Sequence, residues 1–327
     1  MKSNTLENPG WKRNVNTYLL GNKALVIVIM LGVILSFSTD KFFTQTNILN
    51  VLRQVCVSTI VATGFTMLLG ANDIDLSVGS ILGLSGMVAG MLMVNLKMDT
   101  VPAMLLTVCL GMACGVLNAC MIIVLDLPPF IVTMGTSQIF RGACYLVTSM
   151  RPIIRLPQEF VQIGQGFWLG IPIPIFIMLG VLLIVYVICN FTMFGRHAIA
   201  MGGNKDAARV SGINTVAVRI GVYALVGACA AIASFVMTAR TASSQPAAGV
   251  GMEMDAIAAV VIGGTSMSGG SAHVISTLFG CILVGMMDNG LNLLGVNSNW
   301  QVVMKGLLIL FAISLDKISS RIYAARA

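Results

Sequence analysis

Long unbroken apolar runs, separated by short polar clusters, set the pattern of this chain. Apolar and polar residues do not alternate, as the strands of a transmembrane barrel would require. A bilayer-crossing helix needs about 20 consecutive apolar residues. Runs of that kind lie near residues 22–38, 49–69, 77–95, 101–125, 129–149, 172–190, 219–237, 254–266, 272–290 and 300–316. A backbone in lipid must satisfy its own hydrogen bonds. The pattern therefore predicts an all-α, polytopic membrane helical bundle of about ten transmembrane helices. The eighth run is short and ends in Gly263-Gly264-Thr265-Ser266-Met267-Ser268-Gly269-Gly270. Broken or re-entrant segments are expected near 263–270 and near 70–79.

Composition supports this reading. Of 327 residues, 57% are apolar and 9% are charged, against roughly 25% charged in a soluble domain. Mean hydropathy is +0.93. Too few charges remain to cover a water-exposed surface, which excludes a cytosolic enzyme, a nucleic-acid binder and a disordered tail. The net charge of +7 follows from basic residues kept on the cytoplasmic side. With the N-terminus inside, Lys2, Lys12, Arg13, Lys23, Arg196, Lys205, Arg209, Arg219, Lys317, Arg321 and Arg326 fall in the cytoplasm. Lys41, Lys97, Arg151, Arg155 and Arg240 fall outside, and Arg53, Arg141 and Lys305 within spans. This is the sign the positive-inside rule requires, and it places both termini in the cytoplasm. The run from Ala24 to Phe37 lacks a small-residue cleavage site, so it reads as a retained first span. Residues 1–327 form a single transmembrane domain with a long outer loop at 150–171 and a polar inner loop at about 191–218. Eight cysteines, none in a C-x-x-C pair, read as small apolar packing residues. No cofactor or metal site is expected.

Three motifs stand out. Gly70-Ala71-Asn72-Asp73-Ile74-Asp75-Leu76-Ser77-Val78-Gly79 puts two carboxylates between two apolar runs. It reads equally as a polar turn at the membrane surface, with Ser77 capping the next helix, or as a polar break facing a substrate path. The inner loop holds Gly202-Gly203-Asn204-Lys205-Asp206-Ala207-Ala208-Arg209-Val210-Ser211-Gly212-Ile213. It lacks the G-x-x-x-x-G-K-[ST] phosphate loop, so the chain has no ATP site of its own. It can form a short helix, a turn and another helix that sits in a partner's groove, and an ordinary solvated loop fits about as well. The third motif runs from Ser243-Ser244-Gln245-Pro246 through Gly249, Gly251, Glu253 and Asp255 to the glycine-rich turn. Thr265, Ser266 and His273 are the nearest approach to a hydrolytic set, and a Gly-Ser turn is by far the commoner meaning.

Together these motifs resemble the permeases of bacterial ATP-driven monosaccharide importers, the ribose, xylose, arabinose and galactoside group. Asp73-Ile74-Asp75-Leu76-Ser77-Val78-Gly79 matches most of the family pattern Gly-Gly-Ile-Asp-Leu-Ser-Val-Gly. Gly202 to Ile213, Gln245 to Gly270 and Asp288 to Gly295 follow the family's other runs, and the resemblance covers nearly the whole chain. Asn72-Asp73 departs from it, standing where the family usually has Gly-Gly. The resemblance implies a non-enzymatic permease subunit paired with a second permease copy, like or unlike. An ATP-binding-cassette ATPase subunit would sit inside and an extracytoplasmic sugar-binding protein outside, in a bacterial inner membrane. It assigns ATPase coupling to Gly202, Gly203, Asn204, Asp206, Ala207, Ala208, Arg209, Ser211, Gly212 and Ile213. Candidate substrate-path residues are Asn72, Asp73, Asp75, Ser77, Gly79 and Asn118. Arg151, Arg155 and Arg240 are candidates for docking the binding protein, and they read as well as plain solvated charges.

An ATP-independent secondary transporter is the rival reading. It would need ion-coupling carboxylates deep in spans. Arg53, Arg141, Lys305 and Asp288 form no evident relay in the sequence.

Overall fold

The computed structural model describes residues 23–297, 299–310 and 314. In chain order the helices are α1 (Lys23–Ser38), α2 (Gln45–Gly70), α3 (Val78–Gly90, extended by a π turn over Met91–Asn95), α4 (Thr100–Leu125) and α5 (Pro129–Val147). The outer loop holds a short helix, α6 (Gln158–Gln165), and a two-residue hairpin, β1 (Phe167–Trp168) with β2 (Ile171–Pro172). Then come α7 (Ile173–Phe191), α8 (Met193–Gly203), α9 (Lys205–Val210), α10 (Thr215–Thr241), α11 (Met252–Ile262) and α12 (Val274–Leu293). Residues 299–310 are also helical.

Each predicted run falls on a helix, and six helices are long and apolar enough to cross a membrane: α2, α3 with its π turn, α4, α7, α10 and α12. The others are α1 with 16 residues, α5 with 19, α11 with 11, and the helix at 299–310, beyond which only residue 314 is described. Exposed side chains on α4 and α7 include Leu105, Val124, Leu183 and Ile184. Such an apolar outer surface suits lipid.

Contacts fix the relative directions. Asp73, just past α2, pairs with Arg219 near the start of α10, and Gly64 packs on Val226 and Cys229. These helices are thus antiparallel. Gly111 and Gly115 of α4 meet Gly227 and Tyr223, so α4 also runs against α10. Gly280 on Ala259 makes α12 antiparallel to α11. One end of the bundle gathers residues 70–75, 192–214 and 263–273, and the other gathers the hairpin, Ile153 and Ser244. We call the end carrying residues 192–214 the inner end.

A pattern recurs along the chain. A helix of 26 or 27 residues, α2 or α10, leads through a non-helical stretch, 71–77 or 242–251, to a shorter helix, α3 or α11. The two copies run in opposite directions. The first expected break is therefore present at 71–77. The glycine-rich stretch at 263–273 instead closes α11 onto α12 at the inner end. Gly264, Gly269 and Gly270 turn it there with positive φ.

Candidate functional site

The three sequence motifs meet at the inner end. Gly202, the next-to-last residue of α8, lies directly against the backbone of Gly70 and Ala71. A Cβ at Gly202 would collide with the Gly70 carbonyl. On the other side, Gly269 abuts Asn72 and the Gly202 carbonyl, Gly270 lies near Gly203, and the Gly270 N–H donates to the Gly70 carbonyl at 3.0 Å. Backbone touches backbone at this junction, so a shift of α8 has no soft side chain to absorb it.

Beyond the junction the inner loop protrudes. Thr192, Asn204 and Asn214 cap α8, α9 and α10, accepting from the N–H groups of Gly195, Ala207 and Ala217. Asn204 thus serves the helix start. Gly203, Asn204, Asp206, Ala207, Arg209, Ser211 and Gly212 are exposed, Ala208 is buried and Ile213 half-buried. Gly212 turns the chain at φ +85°. Val210, absent from the sequence-based set, is 90% exposed at the tip. Its signal was an apolar residue within a polar loop.

Above the junction lies a buried polar cluster. Arg219 grips Asp73 with two bonds, Nε to Oδ2 at 2.7 Å and Nη2 to Oδ1 at 3.0 Å. Asp75 is fully buried and pairs with no cation among the described residues. Its Oδ1 accepts from the Ser77 N–H and hydroxyl, and its Oδ2 from Asn118 Nδ2 at 3.3 Å. Ser77 therefore holds Asp75 and makes no side-chain cap to α3. Asn118 also donates to Ser77 Oγ at 2.8 Å, and its own Oδ1 is buried without a partner. Asn72, Asp73, Asp75, Ser77 and Asn118 are thus close together. Gly79, the other candidate, lies farther along α3 against Gly249 and Glu253.

Arg141 is the residue that sequence reasoning left without a role. Along α5, Thr133, Ser137, Arg141 and Cys144 share one face at helical spacing. Thr133 Oγ1 accepts from the Leu76 N–H, Ser137 bonds Ser80 at 3.0 Å, and Cys144 bonds the Pro246 carbonyl. Arg141 donates to three carbonyls: Ala248 at 2.7 Å, Gly79 at 3.0 Å and Pro246 at 3.1 Å. This polar ladder joins α5 to the first break, to α3 and to the stretch before α11.

At the outer end Arg151 and Arg155 are exposed. They flank Ile153, which makes a two-bond bridge with Ser244. Arg240 is half-buried beneath α6, and Gln165 donates to its carbonyl at 3.0 Å. Lys305 and Asp288, which formed no relay in the sequence, are ion-paired: Lys305 Nζ lies 2.9 Å from Asp288 and 3.1 Å from Asp255. Lys305→Met leaves two carboxylates facing each other. It is expected to cost about 2 kcal/mol, below the roughly 3–5 kcal/mol for breaking a fully buried pair. A thermal unfolding midpoint in detergent lower than that of Asp288→Asn checks this, and equal midpoints would contradict it. Among the described residues no cluster of His, Cys, Asp or Glu could hold a metal ion.

Helices long and apolar enough to cross a membrane, with an exposed helical loop locked both to the first break and to the 263–273 turn, suit a membrane permease. The chain belongs to the family described as branched-chain amino acid transport system / permease component, matched over residues 47–313. It is 42% identical over 293 residues to the ribose import permease protein RbsC of Bacillus subtilis, spanning 89% of this chain and 90% of that protein. It is 38% identical to RbsC of Escherichia coli K12, over 91% of this chain and 94% of that protein. To the E. coli galactose/methyl galactoside import permease protein MglC it is 35% identical, over 94% and 97%. No solved structure matches the chain.

Proposed function

We propose that this chain is the permease subunit of an ATP-driven importer and forms the translocation path for a monosaccharide, ribose-like in kind. The observation that carries the sugar class is identity of 38–42% with ribose import permeases over about nine-tenths of the chain. ATP is hydrolysed on a separate ATP-binding-cassette subunit. An extracytoplasmic binding protein delivers the sugar, and a second permease copy, identical or paralogous, completes the path. The chain sits in the bacterial inner membrane with both termini cytoplasmic. Uptake of labelled ribose into proteoliposomes holding permease, ATPase and binding protein tests this reading. Uptake that persists without ATP would favour a secondary transporter, the rival to which the Lys305–Asp255–Asp288 cluster lends its charges.

The inner loop is the coupling element in this reading. Gly202, Gly203, Asn204, Asp206, Ala207, Ala208, Arg209, Ser211, Gly212 and Ile213 form it, and Val210 is its apolar contact with the ATPase. Asp73, Asp75, Ser77, Asn72, Gly79 and Asn118 belong to the inner part of the path. Arg151, Arg155 and Arg240 receive acidic groups of the binding protein, since charge complementarity speeds encounter and sets register. Val210→Asp places a charge at the apex of α9 and disturbs no buried contact. It is expected to leave the fold intact and to weaken ATPase binding at least tenfold in a pull-down titration. Unchanged binding would remove Val210 from the interface.

A further inference from the structure

Residues 242–251 are not helical, yet they run alongside a helix through the depth of the bundle. Ser244 lies against Gly90, the last residue of α3, and Gly249 against Gly79, near its start. The stretch therefore passes along twelve residues of α3, or about 16 Å at the rise of an α-helix. Non-helical backbone at membrane depth is tolerated only where protein buries it or where it lines an aqueous cavity. An unpaired carbonyl there costs several kcal/mol. Here side chains of α5 supply the missing partners. Arg141 donates to Pro246 and Ala248 and ties them to the Gly79 carbonyl, and Cys144 adds a second bond to Pro246. Its planar fork of donors can reach three acceptors at once, which an ammonium on a flexible stem cannot do as rigidly.

The stretch has two faces. Ser244, Pro246, Ala248 and Gly249 are buried on α3 and α5, while Gln245, Ala247 and Val250 are exposed. Its ends connect the two ends of the molecule. Ser244 is bridged to Ile153, between exposed Arg151 and Arg155. At the other end it continues into α11, which runs to the turn resting on Gly202 and Gly203. Its own backbone bonds are those of short turns, such as Ala248 N–H to the Gln245 carbonyl, and the bridge at Ser244. A segment held by turns and a few side-chain bonds, without a continuous helix or sheet ladder, belongs to the low-stability end of a fold.

We propose that Ser243–Gly251 is the moving gate of the permease, and that Arg141 is the positioning residue that holds it shut against α3. This rests on the permease reading above. With the guanidinium on its three carbonyls the segment covers the face of α3 and α5. When the bonds release, that polar face opens. Cys144 sits one turn from Arg141, fully buried, with its Sγ on the Pro246 carbonyl at 3.2 Å. It reports directly on whether the segment is in place.

The test uses the full-length permease in liposomes, with Cys144 kept and the other cysteines replaced by alanine. The rate of labelling by a small water-soluble methanethiosulfonate is measured. Arg141→Gln should raise the rate at least tenfold, with Arg141→Lys in between. A matched protein keeping only Cys229, buried between α2 and α10, should show no rise. Equal Cys144 rates in all three proteins, or an equal rise at Cys229, would overturn the proposal. If Arg141→Gln does not fold, the Arg141 protein decides the matter. In the complex with ATPase and binding protein, Cys144 labelling should rise when the cycle is trapped with ATP and vanadate, and an unchanged rate would overturn the gate. Failure of the ATPase to bind at all would instead count against the permease reading, and the liposome arm would still stand.

Discussion

Gly202→Ala abolishes coupled uptake while the chain still inserts; this is the expected result with the largest effect on function. The added Cβ meets the Gly70 carbonyl and the Ala71 backbone, not the flexible end of a side chain. Backbone cannot give way as a rotamer can, and overpacking of a tight contact costs about 1–3 kcal/mol. The strain falls on the point where α8, the first break and the 263–273 turn meet, so the parts must separate or transmit motion wrongly. Gly135→Ala, on α5 and outside the coupling element, is the control, since nothing lies within 4 Å of the added atom. ATP-driven uptake should fall more than tenfold for Gly202→Ala and change by less than about twofold for Gly135→Ala, alanine suiting a helix interior at least as well as glycine. Equal uptake by the two variants, at matched levels in the membrane, would remove the junction from the coupling route.

Much of this arrangement was legible in the sequence, though not its contacts. Apolar runs located the helices because each run must bury or face lipid along its whole length. Of the basic residues sorted to the inner side, Arg196, Lys205, Arg209 and Arg219 share one end of the bundle, and of those sorted outside Arg151, Arg155 and Arg240 share the other. The basic residues of both termini lie outside the described residues. The motif at 202–213 fitted a helix, turn and helix about as well as a solvated loop, and α9, the turn at Gly212 and α10 follow the first order. Depth was not legible. Glycines at 263–270 mark where the chain leaves a helix, as do Pro246, Gly249 and Gly251. Composition does not say which group sits at an end and which descends beside α3. Partners were not legible either. Arg219 lies 146 residues from Asp73, and Arg141 lies 105, 107 and 62 residues from the Pro246, Ala248 and Gly79 carbonyls it binds. An intramembrane arginine signals that acceptors exist, but backbone carbonyls carry no sequence signature.

Asp73→Asn should be the most destabilising single change at the inner end. The carboxylate is 2% exposed and receives both arms of Arg219, the strongest geometry available to such a pair. Asparagine offers one acceptor and no charge, which leaves a guanidinium largely out of water without its counter-ion. Breaking a buried pair in this way costs roughly 3–5 kcal/mol, whereas removing both partners can be near neutral. The double variant Asp73→Asn with Arg219→Gln should therefore be more stable than Asp73→Asn alone. Thermal melts of the purified permease decide this, and a double variant less stable than the single one would mean that Arg219 has another partner of equal weight. Asp75→Asn is the contrasting case. Asp75 has no cation to strand, and the amide oxygen can still accept from the Ser77 N–H, so its cost should be near the 1 kcal/mol of an ordinary hydrogen bond. A melt near wild type together with a severalfold loss of uptake would then assign Asp75 to the path. Arg151→Ala, which alters only an exposed side chain at the outer end, should lose less. Stability and uptake would thus part company at Asp75 and move together at Asp73.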